Sequence, residues 1–144
     1  MNCTFCGVRF CETLEHLFLC CNQAAVVWFF VKSLLRSLCN HRLKVDCATI
    51  LFSQLPRAVR GIDKELILYV ISLAKYAIWF TRCQVKYEHR RFDGATSLRL
   101  FKSRLKFRIS VDFTRFSEEE FIERWGRGDI ICEIGDSKQL RFNF

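Results

Sequence analysis

Residues 64–91 read KELILYVISLAKYAIWFTRCQVKYEHRR, and this stretch decides the fold. It is apolar almost all round as far as Phe80 and then turns basic. A helix that is hydrophobic on every side belongs in a core, whereas a charged face belongs in solvent. The first half is therefore predicted to be the central core helix, and the second half to project a charged face. Asp63 stands before the segment, and Asp93 with Gly94 breaks it. Lys75 cuts its apolar run, as Lys32 ends the run from Ala24 to Val31, so no stretch offers the roughly 18 uninterrupted apolar residues of a membrane span. No membrane partner is expected.

The flanking segments keep a helical period. After Asn22, the residues Val26, Val27, Phe30, Leu34, Leu35 and Leu38 predict a helix to about Leu38, closed by the polar stretch Asn40 to Asp46. Thr49 to Leu55 is too short to assign, and Pro56 followed by Gly61 marks a turn or linker. Beyond Gly94, the stripe Leu98, Phe101, Leu105 and Ile109 predicts a helix over Thr96 to Ile109. Phe107, Ile109, Val111 and Phe113 alternate strictly, however, and fit a strand equally well. Ser117 followed by Glu120 is a capping-box pattern opening a short helix to Trp125, with three glutamates near its positive end. Ile130 to Ile134 and Leu140 to Phe144 read as a small hairpin about Gly135 and Asp136. Composition agrees with a helical chain: 144 residues, 51% hydrophobic, hold 15 Phe but only 6 Gly and 1 Pro.

Nine cysteines are present, an odd number unevenly spaced. Cys3, Cys6, Cys11, Cys20 and Cys21 crowd the first 21 residues, while Cys39, Cys47, Cys83 and Cys132 are scattered. This is not the pattern of a secreted disulfide framework. Clustered thiols in a reducing compartment bind metal, and isolated ones on apolar helices serve as small core residues. Cys3-x2-Cys6, then His16, then Cys20 or Cys21 meets the requirement of Zn²⁺ for four N or S ligands in a tetrahedron. Gly7 supplies the turn after Cys6, and Thr13 is the N-cap of a short helix to Cys20. His16 and Cys20 are four apart and share a helix face, whereas His16 and Cys21 are five apart and need the helix to loosen at its end. Helix geometry alone prefers Cys20. Four protein ligands leave no open position for water, so the expected zinc is structural.

The N-terminal residues resemble a known family. Cys3-Thr-Phe-Cys-Gly, then Glu12-Thr-Leu-Glu-His16-Leu-Phe, then Cys21 and Trp28 are similar to the reverse transcriptase zinc-binding domain at the C-terminal end of LINE-type, non-LTR retrotransposon polyproteins. Ser72-Leu-Ala-Lys-Tyr-Ala-Ile-Trp79 and Arg82 resemble, more weakly, the helical segment that trails the knuckle in such elements. The family places a Trp seven residues after the last ligand, as Trp28 follows Cys21, so the resemblance implies Cys3, Cys6, His16 and Cys21 as the metal ligands. It also implies binding of element RNA or target DNA alongside a reverse transcriptase. No Tyr/Phe-x-Asp-Asp pair occurs, so the expectation is a fragment, truncated copy or remnant that does not polymerise DNA.

The chain carries a formal net charge of +8, and residues 81–116 hold ten Lys/Arg against three Asp/Glu. Segregated charge points to a polyanionic partner more than to general solubility. Lys75, Arg82, Lys86 and Arg90 are spaced to share one helix face with Trp79, and Arg99, Lys102 and Lys106 form a second basic line on the next helix. Lysines and arginines neutralise phosphates, and a ring among them stacks on an unpaired base. Any amphipathic helix has a solvated charged face, however, and a Trp at such a position is usually core. No base-reading pattern is visible, so RNA or DNA binding without sharp sequence specificity is expected.

Catalysis is not expected. Asp63 and Glu65, Glu118 to Glu120, and His16, His41 and His89 show neither paired-carboxylate nor triad spacing, and no Gly-rich phosphate loop occurs. Adjacent Cys20 and Cys21 would close only a strained disulfide. The start does not read as a signal peptide, which gives an intracellular expectation, nucleus or cytoplasm. The sequence thus predicts one mostly α domain over 1–144: a zinc-knuckle motif at 3–28, a helical bundle over 29–125 and a C-terminal hairpin or tail over 126–144. The alternative is a protein-interaction module that the zinc merely staples, with no nucleic-acid binding.

Overall fold

A computed structural model of the chain describes residues 2–9, 12–39, 43–127 and 131–144. Cys11, residues 40–42, which include His41, and the predicted hairpin start at Ile130 lie outside the described residues. The architecture is mostly α, with an N-terminal Cys/His cluster and a C-terminal two-stranded hairpin, as the sequence predicts. A π-helical turn at His16–Cys20 leads into α1 (Asn22–Leu38), followed by α2 (Cys47–Phe52), α3 (Gly61–Tyr87), α4 (Gly94–Arg115) and α5 (Glu118–Arg124). β1 (Cys132–Ile134) and β2 (Leu140–Phe142) pair antiparallel with Glu133 opposite Arg141.

The core is a three-helix packing of α1, α3 and α4. α1 contributes Ala24, Val27, Trp28, Val31, Leu34, Leu35 and Leu38 from one stripe. α3 buries a stripe from Leu66 to Thr81, whose only hydroxyl donates to the Ala77 carbonyl at 2.9 Å. Among the described residues α3 alone is long and apolar enough to cross a membrane, and its apolar stripe is packed on α1 and α4. The start of α4 is pressed onto α1. The Gly94 N–H donates to Gln23 Oε1 at 2.7 Å, and a Cβ on Gly94 would overlap the Gln23 carbonyl.

Two helix boundaries differ from the sequence reading. α3 stops at Tyr87 rather than near Arg91, because Glu88 closes it and His89 adopts a left-handed φ of 53°. α4 runs on to Arg115, and the alternating stretch 107–113 is helical. Its buried positions Phe101, Leu105, Ile109 and Asp112 keep three- and four-residue spacing, so packing resolves the ambiguity in favour of the 3.6 period while Phe107 points to solvent. The short stretch around residue 50 becomes α2, capped by Asp46, which accepts from the Thr49 N–H at 3.0 Å. The capping box of Ser117 and Glu120 forms as predicted.

α5 is fastened from both sides. Asp112 of α4, 2% exposed, accepts from Arg108 Nε and from Trp125 Nε1, each at 2.9 Å. Asp63 in the first turn of α3 pairs with Arg127, and Glu65 pairs with Arg124 at 3.1 Å. Cys39 and Cys132 are buried core residues as expected, Cys83 is half-buried, and Cys47 is exposed at the start of α2.

Candidate functional site

The N-terminal turn is built by backbone geometry. The Gly7 N–H donates to the Cys3 carbonyl at 2.8 Å, and the Cys3 N–H to the Val8 carbonyl at 2.9 Å. Gly7 closes the turn with φ +74°, a conformation an L side chain resists. Cys3 and Cys6 are thereby presented to one point. The second half of the cluster comes from the π-helical turn. Thr13 Oγ1 accepts from the His16 N–H at 3.0 Å and starts it, and the Cys21 N–H donates to the His16 carbonyl at 2.7 Å. That five-residue hydrogen bond widens the turn and brings residue 21, rather than residue 20, beneath His16. Cys21 is 1% exposed in the cluster, whereas the Cys20 thiol is exposed.

The ligand atoms of Cys3, Cys6, His16 and Cys21 all lie within 4.8 Å of one another, with Cys6 Sγ 3.4 Å from His16 Nε2. The donor set fits a metal ion. Burial pushes the Cys21 thiol up to about 11, and the neighbouring Cys6 and Cys3 push the same way. Burial likewise raises the Cys3 thiol. Yet the N–H groups of Gln23 and Ala24 bond the Cys21 sulfur, and those of Phe5 and Cys6 bond that of Cys3, an arrangement that favours thiolates. Amide donors directed at buried sulfurs suit a cluster that could hold a cation. One side of the cluster is reachable from an open cleft of about 440 Å³, lined by Cys6, Val8, His16 and Cys20.

Glu12, which the sequence places only within the N-terminal motif, joins this cluster to α3. One carboxylate oxygen accepts from the Thr4 N–H at 3.0 Å, inside the cysteine turn, and the other pairs with Arg82. Both side chains are about 15% exposed. Burial opposes ionisation of Glu12, but the Thr4 N–H and Arg82 outweigh it and hold its carboxyl below the usual range.

The predicted basic residues are placed unevenly. Lys75 and Lys86 lie on α3, half-buried and exposed respectively, with Trp79 49% exposed between them. Arg82 is not a free cation on this face but the partner of Glu12. Arg90 lies beyond the end of the helix, paired with Glu88 at 3.0 Å. On α4, Arg99 is exposed, while Lys102 sits 4.4 Å from the Phe30 ring and Lys106 lies over Phe142 and Phe144. That edge of α4 is turned to α1 and the hairpin, where Lys102 and Lys106 cover aromatic rings. Three rings were missed: Tyr76 is 39% and Tyr87 67% exposed, and Phe80 stacks on Tyr76 with centroids 5.6 Å apart. They share the outward arc of α3 with Trp79, and extending the helical wheel by a few positions would have found them. Comparison with protein-family models, with curated proteins and with solved structures finds no match for this chain.

Proposed function

We propose that Cys3, Cys6, His16 and Cys21 hold one structural Zn²⁺, and that the chain is a non-catalytic module binding RNA or DNA without sharp sequence specificity. The resemblance of residues 3–28 supports a relation to the C-terminal region of LINE-type reverse transcriptases, which would place the module beside a polymerase in the nucleus or cytoplasm. Zinc suits the cluster because tetrahedral bonds of about 2.3 Å to sulfur and 2.0–2.1 Å to nitrogen put ligand atoms about 3.5–3.8 Å apart. The four donors need to close only slightly to reach this. With all four positions filled by protein, such an ion staples and does not catalyse.

The nucleic-acid reading rests on one observation. Of the ten Lys/Arg between residues 81 and 116, six stay exposed on α3, α4 and the link between them: Lys86, Arg90, Arg91, Arg99, Arg104 and Arg115. A phosphate backbone is the common partner of such a concentration of charge. The rival protein-interaction reading has its own observation: Phe29 on α1 and Phe52 on α2 are 81% and 69% exposed.

Native mass spectrometry under reducing conditions should show one zinc per chain. Zinc-loaded protein should bind nucleic acid with log K falling against log salt by about 0.7–0.9 per neutralised phosphate. Changing Lys86 and Arg99 to Gln should flatten that slope for all sequences alike. Zinc-loaded protein that ignores both single strands and duplex at low salt would leave the interaction-module reading ahead.

A further inference from the structure

We infer that the outward face of α3 is a stacking platform for unpaired bases, so that the chain takes a single strand in preference to a duplex; this rests on the nucleic-acid reading above. Tyr76, Trp79 and Tyr87 are exposed along one arc, with Phe80 stacked on Tyr76 at an interplanar angle of 26°. At about 1.5 Å rise per residue, Tyr76 to Tyr87 covers about 16 Å of helix, long enough to meet several successive bases. Lys75 and Lys86 flank the rings, and Lys86 Nζ lies 5.4 Å from the Tyr87 ring, so phosphates of a strand laid along the arc find a positive partner at each end.

The balance of charge to rings separates strand from duplex. Non-specific duplex binding is carried by many phosphate contacts, but on the ring-bearing arc of α3 Arg82 is taken up by Glu12 and Arg90 lies beyond the helix end, which leaves two lysines among the rings. Stacked rings, by contrast, have value only for bases whose faces are open, and in a duplex those faces are covered by their neighbours. Stacking on aromatic side chains is also tolerant of base identity, which suits binding without sequence specificity.

The test uses the zinc-loaded full chain with fluorescently labelled oligo(dT), oligo(U) and a mixed-sequence duplex of equal length. Both single strands should bind at least about tenfold more tightly than the duplex. Of the three Trp, Trp28 and Trp125 are 5% and 1% exposed, so quenching of intrinsic fluorescence by unlabelled single strands reports Trp79. Trp79→Ala should weaken single-strand binding between about fivefold and a hundredfold while leaving the salt slope unchanged, and Trp79→Phe should restore most of the loss. Because Trp79 is exposed, circular dichroism of the variants should match the parent; the quenching of the parent protein stands as a readout independent of any variant. Equal affinity for duplex and single strands, with no quenching and no effect of Trp79→Ala, overturns the platform and leaves general nucleic-acid binding intact. Absence of binding to every probe overturns both, and points to a protein on the exposed rings.

Discussion

Cys20 and Cys21 are adjacent in the chain, yet only Cys21 meets the Gln23 and Ala24 N–H groups at the start of α1 and faces Cys3, Cys6 and His16. Replacing Cys21 with Ser should therefore abolish stoichiometric metal in native mass spectra, while Cys20→Ser keeps it; the opposite outcome would move the ligand to Cys20. The raised thiols also set the sign of the pH dependence. Without metal, the Cys21 thiol is neutral at pH 7 because burial holds it near 11. Burial raises Cys39 to about 11 too, assisted by the Asp63 carboxylate. A raised folded value gives stability that is complete below the ordinary thiol value near 9 and is lost as pH climbs towards 11. Metal reverses this for Cys21, since a coordinating thiol gives up its proton. Metal affinity should thus rise between pH 6.5 and 7.5, by about tenfold for each proton expelled. Competition with a chromophoric chelator at the two pH values measures this, and a pH-independent affinity would exclude thiolate ligation.

Among elements, one polar link between the knuckle and the bundle is Glu12, bonded to Thr4 in the cysteine turn and to Arg82 on α3. Breaking a pair this shielded costs more than breaking a surface ion pair, because the remaining charge is left half-buried without its partner. Glu12→Gln keeps a weaker hydrogen bond but removes the charge, so a stability loss of about 1.5–3 kcal/mol is expected by chemical denaturation. Zinc should be retained, because no ligand is touched. Hydrogen exchange should speed up in residues 3–20 and around Arg82; unchanged exchange at both places would mean that the two elements are held together by other contacts. The carboxyl is held low, so this contribution is present at neutral pH and fades as pH falls through its lowered value. The same link changes the reading of the basic face, since Arg82 positions the knuckle and the rings around Trp79 become the more prominent outward feature of α3.

For the molecule as a whole, the π-helical turn packs on α1, α2 and α3, so the Cys/His cluster is built into the bundle and is not an appendage. The buried cluster runs without a break in kind from Cys3 and Phe5 to Ile131 and Cys132. Removal of zinc by a chelator, which can enter through the cleft beside Cys6 and His16, should accordingly lower a single cooperative unfolding transition. Zinc at a hundred times its dissociation constant contributes about 2.7 kcal/mol, which for a domain of this size is a shift of roughly 5–10 °C. Two transitions, with the helical midpoint unmoved by chelation, would show the knuckle to be independent of the bundle.

What the sequence determined by itself is what local chemistry dictates. α1 matches the apolar period from Asn22 to Leu38, the capping box starts α5, and Gly7 takes the left-handed turn that only a residue without a Cβ adopts freely. The Cys/His cluster is legible as well, but the inclusion of Cys21 in place of Cys20 follows from resemblance against simple helix geometry, and the physical reason for it, a turn widened by the Cys21-to-His16 hydrogen bond, exists only in the folded chain. Tertiary structure alone decided which charges are free. Arg82, Lys86 and Arg90 look alike on a helical wheel, yet a carboxylate 70 residues away along the chain claims the first, and a left-handed His89 removes the last from the helix. Spacing reveals a face; only packing reveals what already occupies it. Trp79 makes the converse case: its apolarity argues for burial, but the opposite stripe of α3 is the one that α1 and α4 cover, so the ring is left to solvent.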